Sequence, residues 1–113
     1  MINQILKHHL DAFLQGNVNE IMKDYTEKSE LLTPQGPVTG LNAIRSWFEE
    51  IFKAVPKGSA LDLKQTIIRG NIAYIAWSGE SPFVSIPFGV DTFVMENDMI
   101  LFQALGAQIV PKQ

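Results

Sequence analysis

Cysteine is absent from this 113-residue chain, which excludes disulfides and thiolate chemistry. A basic excess is absent as well. Nine Lys and Arg against twelve Asp and Glu leave a formal charge of −3, without the cationic stripe that nucleic acid requires. No apolar run approaches the roughly 20 residues of a membrane helix. The opening "MINQILKHHLDAFLQG" is unlike a secretory signal, because charges and histidines interrupt its apolar positions at a regular period. A cytoplasmic protein is therefore expected, with neither a nucleic-acid nor a membrane partner. Phosphate-loop chemistry is missing too: "TPQGPVTG" has neither the Lys nor the following Ser/Thr. His8 and His9 are adjacent, so they cannot share a metal from one helix face as an i, i+4 pair does. No metal site and no cofactor are expected. There is no repeat, low-complexity tract or linker, and the length suits one domain over residues 1–113.

Periodicity dominates what is present. Ile2, Ile5, Leu6, Leu10, Phe13 and Leu14 recur at helical spacing, with His9 in the middle of the apolar stripe and His8 at its edge, turned to solvent. Gly16 ends this helix. "NVNEIMKDY" restarts it, with Asn17 as N-cap, Glu20 three places on, and Val18, Ile21, Met22 and Tyr25 on the inner face. "TPQGPVTG" reads as punctuation, and a third helix runs from about Leu41 to Ala54. The second half reads as strands: "LDLKQTIIRG", "IAYIAWSGE", "FVSIPFGVDTFVME" and "MILFQALGAQIV". Pro87 and Gly89 predict a bend or bulge. Helices followed by strands give an α+β class, with helices on one face of an antiparallel sheet.

Asn97 and Asp98 tolerate the positive φ of a two-residue hairpin turn. Pairing Glu96 with Met99 then places Asp91 opposite Ala104, on a face with Phe93, Met95, Ile100 and Phe102. Val90, Thr92, Val94, Leu101 and Gln103 fall on the other face. A one-residue bulge would reverse the assignment. Asp91 is the only charge on its face. Inside an apolar cavity a carboxylate is either raised in pKa or matched to a donor, and His9 is the natural donor if the first helix lies over the sheet. A structural hydrogen bond, or a surface charge beyond a bulge, is the alternative. Tyr25, Trp47, Trp77 and Phe93 form the expected aromatic wall, or else ordinary core.

The stretches "HHLDAFLQGNVNEIMKDYTEKSELLTPQGPVTGLNAIRSWF", "GNIAYIAW" and "VDTFVMENDMI" resemble, in order and spacing, the SnoaL-like and ketosteroid-isomerase-like branch of the nuclear transport factor 2-like superfamily. That resemblance implies a curved sheet wrapped into a cone, closed by the helices around a mostly apolar pocket. It also implies homodimers packed through the outer sheet face. Asp91 matches the protonated oxyanion-hole acid of ketosteroid isomerases, which lies in a motif similar to "VDTF". The positions of that family's first-helix tyrosine and third-helix tyrosine are taken by His9 and Phe48. Its general base, an aspartate before a proline, is replaced by Thr33 before Pro34, and a threonine hydroxyl does not abstract protons at neutral pH. Arg45 and Arg69 do not form an epoxide-hydrolase-like Asp–Arg–Asp set with Asp91.

The expected site is thus Asp91 and His9 as the acid or hydrogen-bond donor pair, with Tyr25, Thr33, Trp47, Phe48, Trp77, Phe93 and Phe102 in the pocket. The expected function is binding of a small apolar or amphipathic ligand without a complete catalytic set. Isomerase, cyclase or lyase chemistry is one alternative, and a non-catalytic dimeric interaction module is the other.

Overall fold

A computed structural model describes residues 2–113. Helix α1 spans Ile2–Leu14, α2 is the single turn Val18–Ile21, and α3 spans Leu41–Ala54. The strands are β1 Tyr25–Thr33, β2 Gly36–Thr39, β3 Ala60–Arg69, β4 Ile72–Glu80, β5 Val84–Glu96, β6 Met99–Ala107 and β7 Val110–Pro111.

Helix α1 buries Ile5, Leu6, His9 and Ala12, a single stripe set by helical spacing. Gly16 ends it at φ 61°, a conformation that glycine adopts without a Cβ clash. Asn17 then caps α2 by accepting the Glu20 N–H at 3.0 Å. The second helix is shorter than its apolar spacing predicts. A 3₁₀ turn, Met22–Asp24, ends it, and Tyr25 opens a strand. The segment read as punctuation is a hairpin between β1 and β2, with Leu32 opposite Pro37. Proline is tolerated there because β2 is an edge strand.

The strand order is β2-β1-β6-β5-β4-β3, with β7 paired to β5. The sheet is mixed, not antiparallel as expected, because β1 runs parallel to β6. Every strand joined to its neighbour by a tight turn is antiparallel. The chain between β1 and β6 passes through β2, α3 and three further strands, so no hairpin forces their direction.

Register shifts curve the sheet. One lies in β3 between Leu63 and Gln65, and one in β5 between Gly89 and Ile86, where Pro87 and Gly89 predict a bend. Another lies between the Val94↔Phe102 and Met95↔Ile100 pairs and leaves Leu101 unpaired. The turn itself is as expected: Asn97 and Asp98 have φ of 53° and 61°, and Glu96 pairs with Met99. Beyond Leu101, however, the pairing moves by one residue. Asp91 faces Leu105, Phe93 faces Gln103, and Phe102 and Ala104 go to the convex face beside Val94 and Thr92.

Helices α1 and α3 pack on the concave face. Ile44 and Phe48 of α3 meet Ile75, Phe93, Ile100 and Leu31 of the sheet in one buried cluster. Each such fully buried side chain contributes roughly 1.5–3 kcal/mol. No helix among the described residues is long and apolar enough to cross a membrane.

Candidate functional site

The core does not fill the cone. A cavity of about 450 Å³ remains between α1, α3, the 33–35 turn and strands β3 to β6. That is within the range of small-molecule sites. Trp47 and Phe48 reach it from α3, Ile75 and Trp77 from β4, and His9 from α1. Trp77 packs against Gly89, where a Cβ would sit 2.5 Å from the indole ring, so this glycine makes room for the wall. The indole Nε1 is buried without a hydrogen-bond partner.

Asp91 lines the cavity from β5. Burial pushes its carboxyl up to about 7, and a hydrogen bond from the Gln103 amide partly opposes that rise. Gln103 itself is 3% exposed, and its Oε1 accepts a short hydrogen bond from the Tyr25 hydroxyl. Tyr25 is equally buried, and burial, with the Asp91 charge second, holds its phenol well above the usual range.

His9 is not the partner of Asp91. Its Nδ1 lies 3.5 Å from the Tyr25 hydroxyl, and its ring stands edge-on to Tyr25, Phe48 and Phe93. Burial, with the neighbouring His8 charge second, lowers its pKa to about 3, so it is neutral. A neutral imidazole in an aromatic cage shapes the cavity wall and supplies no imidazolium to a carboxylate.

Of the other expected pocket residues, Thr33, Trp47, Phe48 and Trp77 lie on the cavity. Thr33 uses its hydroxyl in the turn, donating to Gly36 O at 2.8 Å and accepting from Gln35 N at 3.2 Å. Tyr25 and Phe93 lie behind the wall, Phe93 wholly buried, rather than on it. Phe102 is on the convex face because of the bulge at Leu101. The same bulge brings in Gln103, which the unbulged register places outside. A lone amide within "MILFQALG" is the signal that could have matched it to the lone carboxylate.

His8 is half-buried rather than turned to solvent. Its Nε2 meets Glu20 Oε1 and its Nδ1 meets Asp24 Oδ2, both at 2.7 Å. This cluster joins α1 to the turn after α2.

The fold agrees with the comparisons. The SnoaL-like domain model matches residues 6–102, and the chain belongs to that family. It is similar to a structure from Sinorhizobium meliloti provisionally named a polyketide cyclase, at 15% identity and TM-score 0.75, covering 91% of this chain and 94% of that one. A Kribbella flavida structure provisionally named a ketosteroid isomerase matches at 13% identity and TM-score 0.77, covering 93% and 76%. TerC, co-crystallised with polyporic acid, matches at 12% identity and TM-score 0.76, covering 93% and 89%. At these identities the likeness is one of fold. No curated protein matches the sequence.

Proposed function

We propose that the protein binds a small, mostly apolar molecule in its conical cavity and anchors one polar atom of it at Asp91. One observation carries this reading: a 450 Å³ cavity with largely apolar walls holds a carboxyl whose burial raises it to about 7. Protonated, such a group donates to a carbonyl or hydroxyl oxygen; ionised, it accepts from a hydroxyl. The ligand reported for TerC supports the use of this fold for small-molecule binding. The test is Asp91→Asn, screened with wild type against a panel of aromatic ketones and phenols by calorimetry. Any compound bound by wild type is expected to lose roughly tenfold in affinity. Unchanged affinity for every binder removes Asp91 from the site.

A second reading is proton-transfer or lyase-type catalysis. A carboxyl titrating near neutral pH suits general acid–base work, and two of the similar structures carry cyclase and isomerase names. Thr33 argues against steroid isomerisation, since it supplies a turn and not a base.

The expected homodimer has its own support on the convex face. Leu32, Ile67 and Ile72 are 42%, 37% and 42% exposed there, beside Phe102 and Val94. Sedimentation at micromolar concentration is expected to give a dimer; a monomer of 12.6 kDa overturns it.

A further inference from the structure

The polar groups behind Asp91 form a chain with a direction, and its four members come from four elements. His9 is on α1, Tyr25 on β1, Gln103 on β6 and Asp91 on β5. The Tyr25 hydroxyl has one proton, and it goes to Gln103 Oε1. The Gln103 amide therefore has its oxygen toward Tyr25, which leaves its NH₂ for Asp91, its diagonal neighbour on the inward face of the β5–β6 ladder and a fellow member of the cavity wall. Donation from that NH₂ is what opposes the rise of the carboxyl. Reversing the amide would send its NH₂ to the phenol oxygen. Tyr25 would then have to donate to His9 Nδ1, which is 3.5 Å away, the far limit of a hydrogen bond. The exchange of a close acceptor for that distant one opposes the reversal, and it does so in a buried layer: Tyr25 and Gln103 are each 3% exposed.

We infer that Tyr25 and Gln103 are positioning residues for Asp91: the phenol locks the amide with its NH₂ toward the carboxyl, so that a proton carried by Asp91 is presented to the cavity and never to the wall. A freely turning amide would do the opposite. Its carbonyl would accept the Asp91 proton, and the acid would be occupied against its own wall. With the amide locked, protonated Asp91 donates to a ligand carbonyl oxygen, and ionised Asp91 accepts from a ligand hydroxyl. Near neutral pH both forms are populated, since burial raises Asp91 to about 7. The ligand class is thereby narrowed to molecules presenting one carbonyl or hydroxyl oxygen at the inner end of an apolar body. This inference rests on the reading of Asp91 as the cavity's polar anchor.

The lock is measured on the ligand-free protein, by titrating the ¹³C-labelled Asp91 carboxyl by NMR in wild type, Tyr25→Phe and Gln103→Leu. Tyr25→Phe deletes one oxygen and frees the amide to turn its carbonyl to Asp91. The Asp91 midpoint is expected to rise by about one pH unit in that variant, and by a similar amount in Gln103→Leu, which loses the donor outright. A merely structural role for Tyr25 would lower stability and leave the midpoint in place. An unchanged midpoint in Tyr25→Phe overturns the proposal, including the case in which Gln103→Leu alone shifts it. If Tyr25→Phe does not fold, wild type gives the reading through the Gln103 side-chain NH₂ resonances, which are expected to follow the Asp91 titration; NH₂ resonances that do not move through that midpoint overturn the proposal. No ligand enters this titration, so its failure is separate from failure of the binding reading, which the Asp91→Asn affinities decide.

Discussion

His8 and His9 are neighbours on one helix, and the fold moves their pKa values in opposite directions. His9 points inward, where three aromatic rings surround it and burial lowers its pKa to about 3. His8, one residue earlier, lies between Glu20 and Asp24 at 2.7 Å from each. A neutral imidazole has a single N–H, whereas the imidazolium donates from both nitrogens, so two facing carboxylates favour the cation. The hydrogen bond to Glu20 is the larger cause of the rise in His8 and the bond to Asp24 the second. One hundred degrees of helix rotation thus separates a cavity wall from a charged clasp. Residue type says nothing about which histidine does which; the face does.

Removing the inward member should have the larger effect. His9→Ala deletes the ring that Tyr25, Phe48 and Phe93 pack against, and the cost is expected to be about 3 kcal/mol, as for other large-to-small changes in a core. Urea unfolding of wild type and variant measures it. NMR sharpens the contrast further: the His9 ring should show no titration between about pH 5 and 8, while His8 titrates above its ordinary 6.5. A His9 that titrates near 6.5 would mean that water reaches it and that the cavity wall is open there.

How far the sequence could be read follows the same division between periodicity and register. Helical spacing placed His9 inside, and the third helix expected from about Leu41 to Ala54 is α3. The Asn97-Asp98 turn was legible because positive φ at both positions has few residue solutions. What failed was the middle of the last hairpin. Leu101 sits unpaired in a run of apolar residues, and nothing in "MILFQ" distinguishes a bulge from regular pairing. A shift of one residue exchanged Phe102 for Gln103 on the inner face and so concealed the partner of Asp91. The β1–β2 hairpin was hidden for another reason. Val18, Ile21, Met22 and Tyr25 fit a helical stripe, but the chain turns at Asp24, and tertiary pairing of Tyr25 with Ile100 decides its state. The site was legible as a list of residues, three of which, Tyr25, Phe93 and Phe102, the sheet places behind the wall or outside it.

The smaller effect belongs to the outward histidine, and its sign with pH separates the clasp from simple packing. Folding raises the His8 pKa above 6.5, so its contribution is fully present below about pH 6.5 and is lost as pH rises through the folded value. The two acids shift in opposite directions. Glu20 is lowered, chiefly by its bond to His8, while Asp24 is raised because burial outweighs its own bond to that ring. Both still favour a charged His8, since each adds an acceptor to a ring with two donors. Lys23, 2.9 Å from Glu20, competes for that carboxylate, and water screens the half-exposed side of the cluster, which keeps the effect modest. His8→Gln retains a donor for only one of the acids. Its melting temperature is expected to fall by roughly 5 °C at about pH 6 and by progressively less as pH rises through the folded value of His8, where wild type loses the same cation. Thermal scans across that range measure the gap between the two proteins. A gap that stays constant with pH would mean that His8 acts by packing alone, and the contrast with His9 would reduce to one of position.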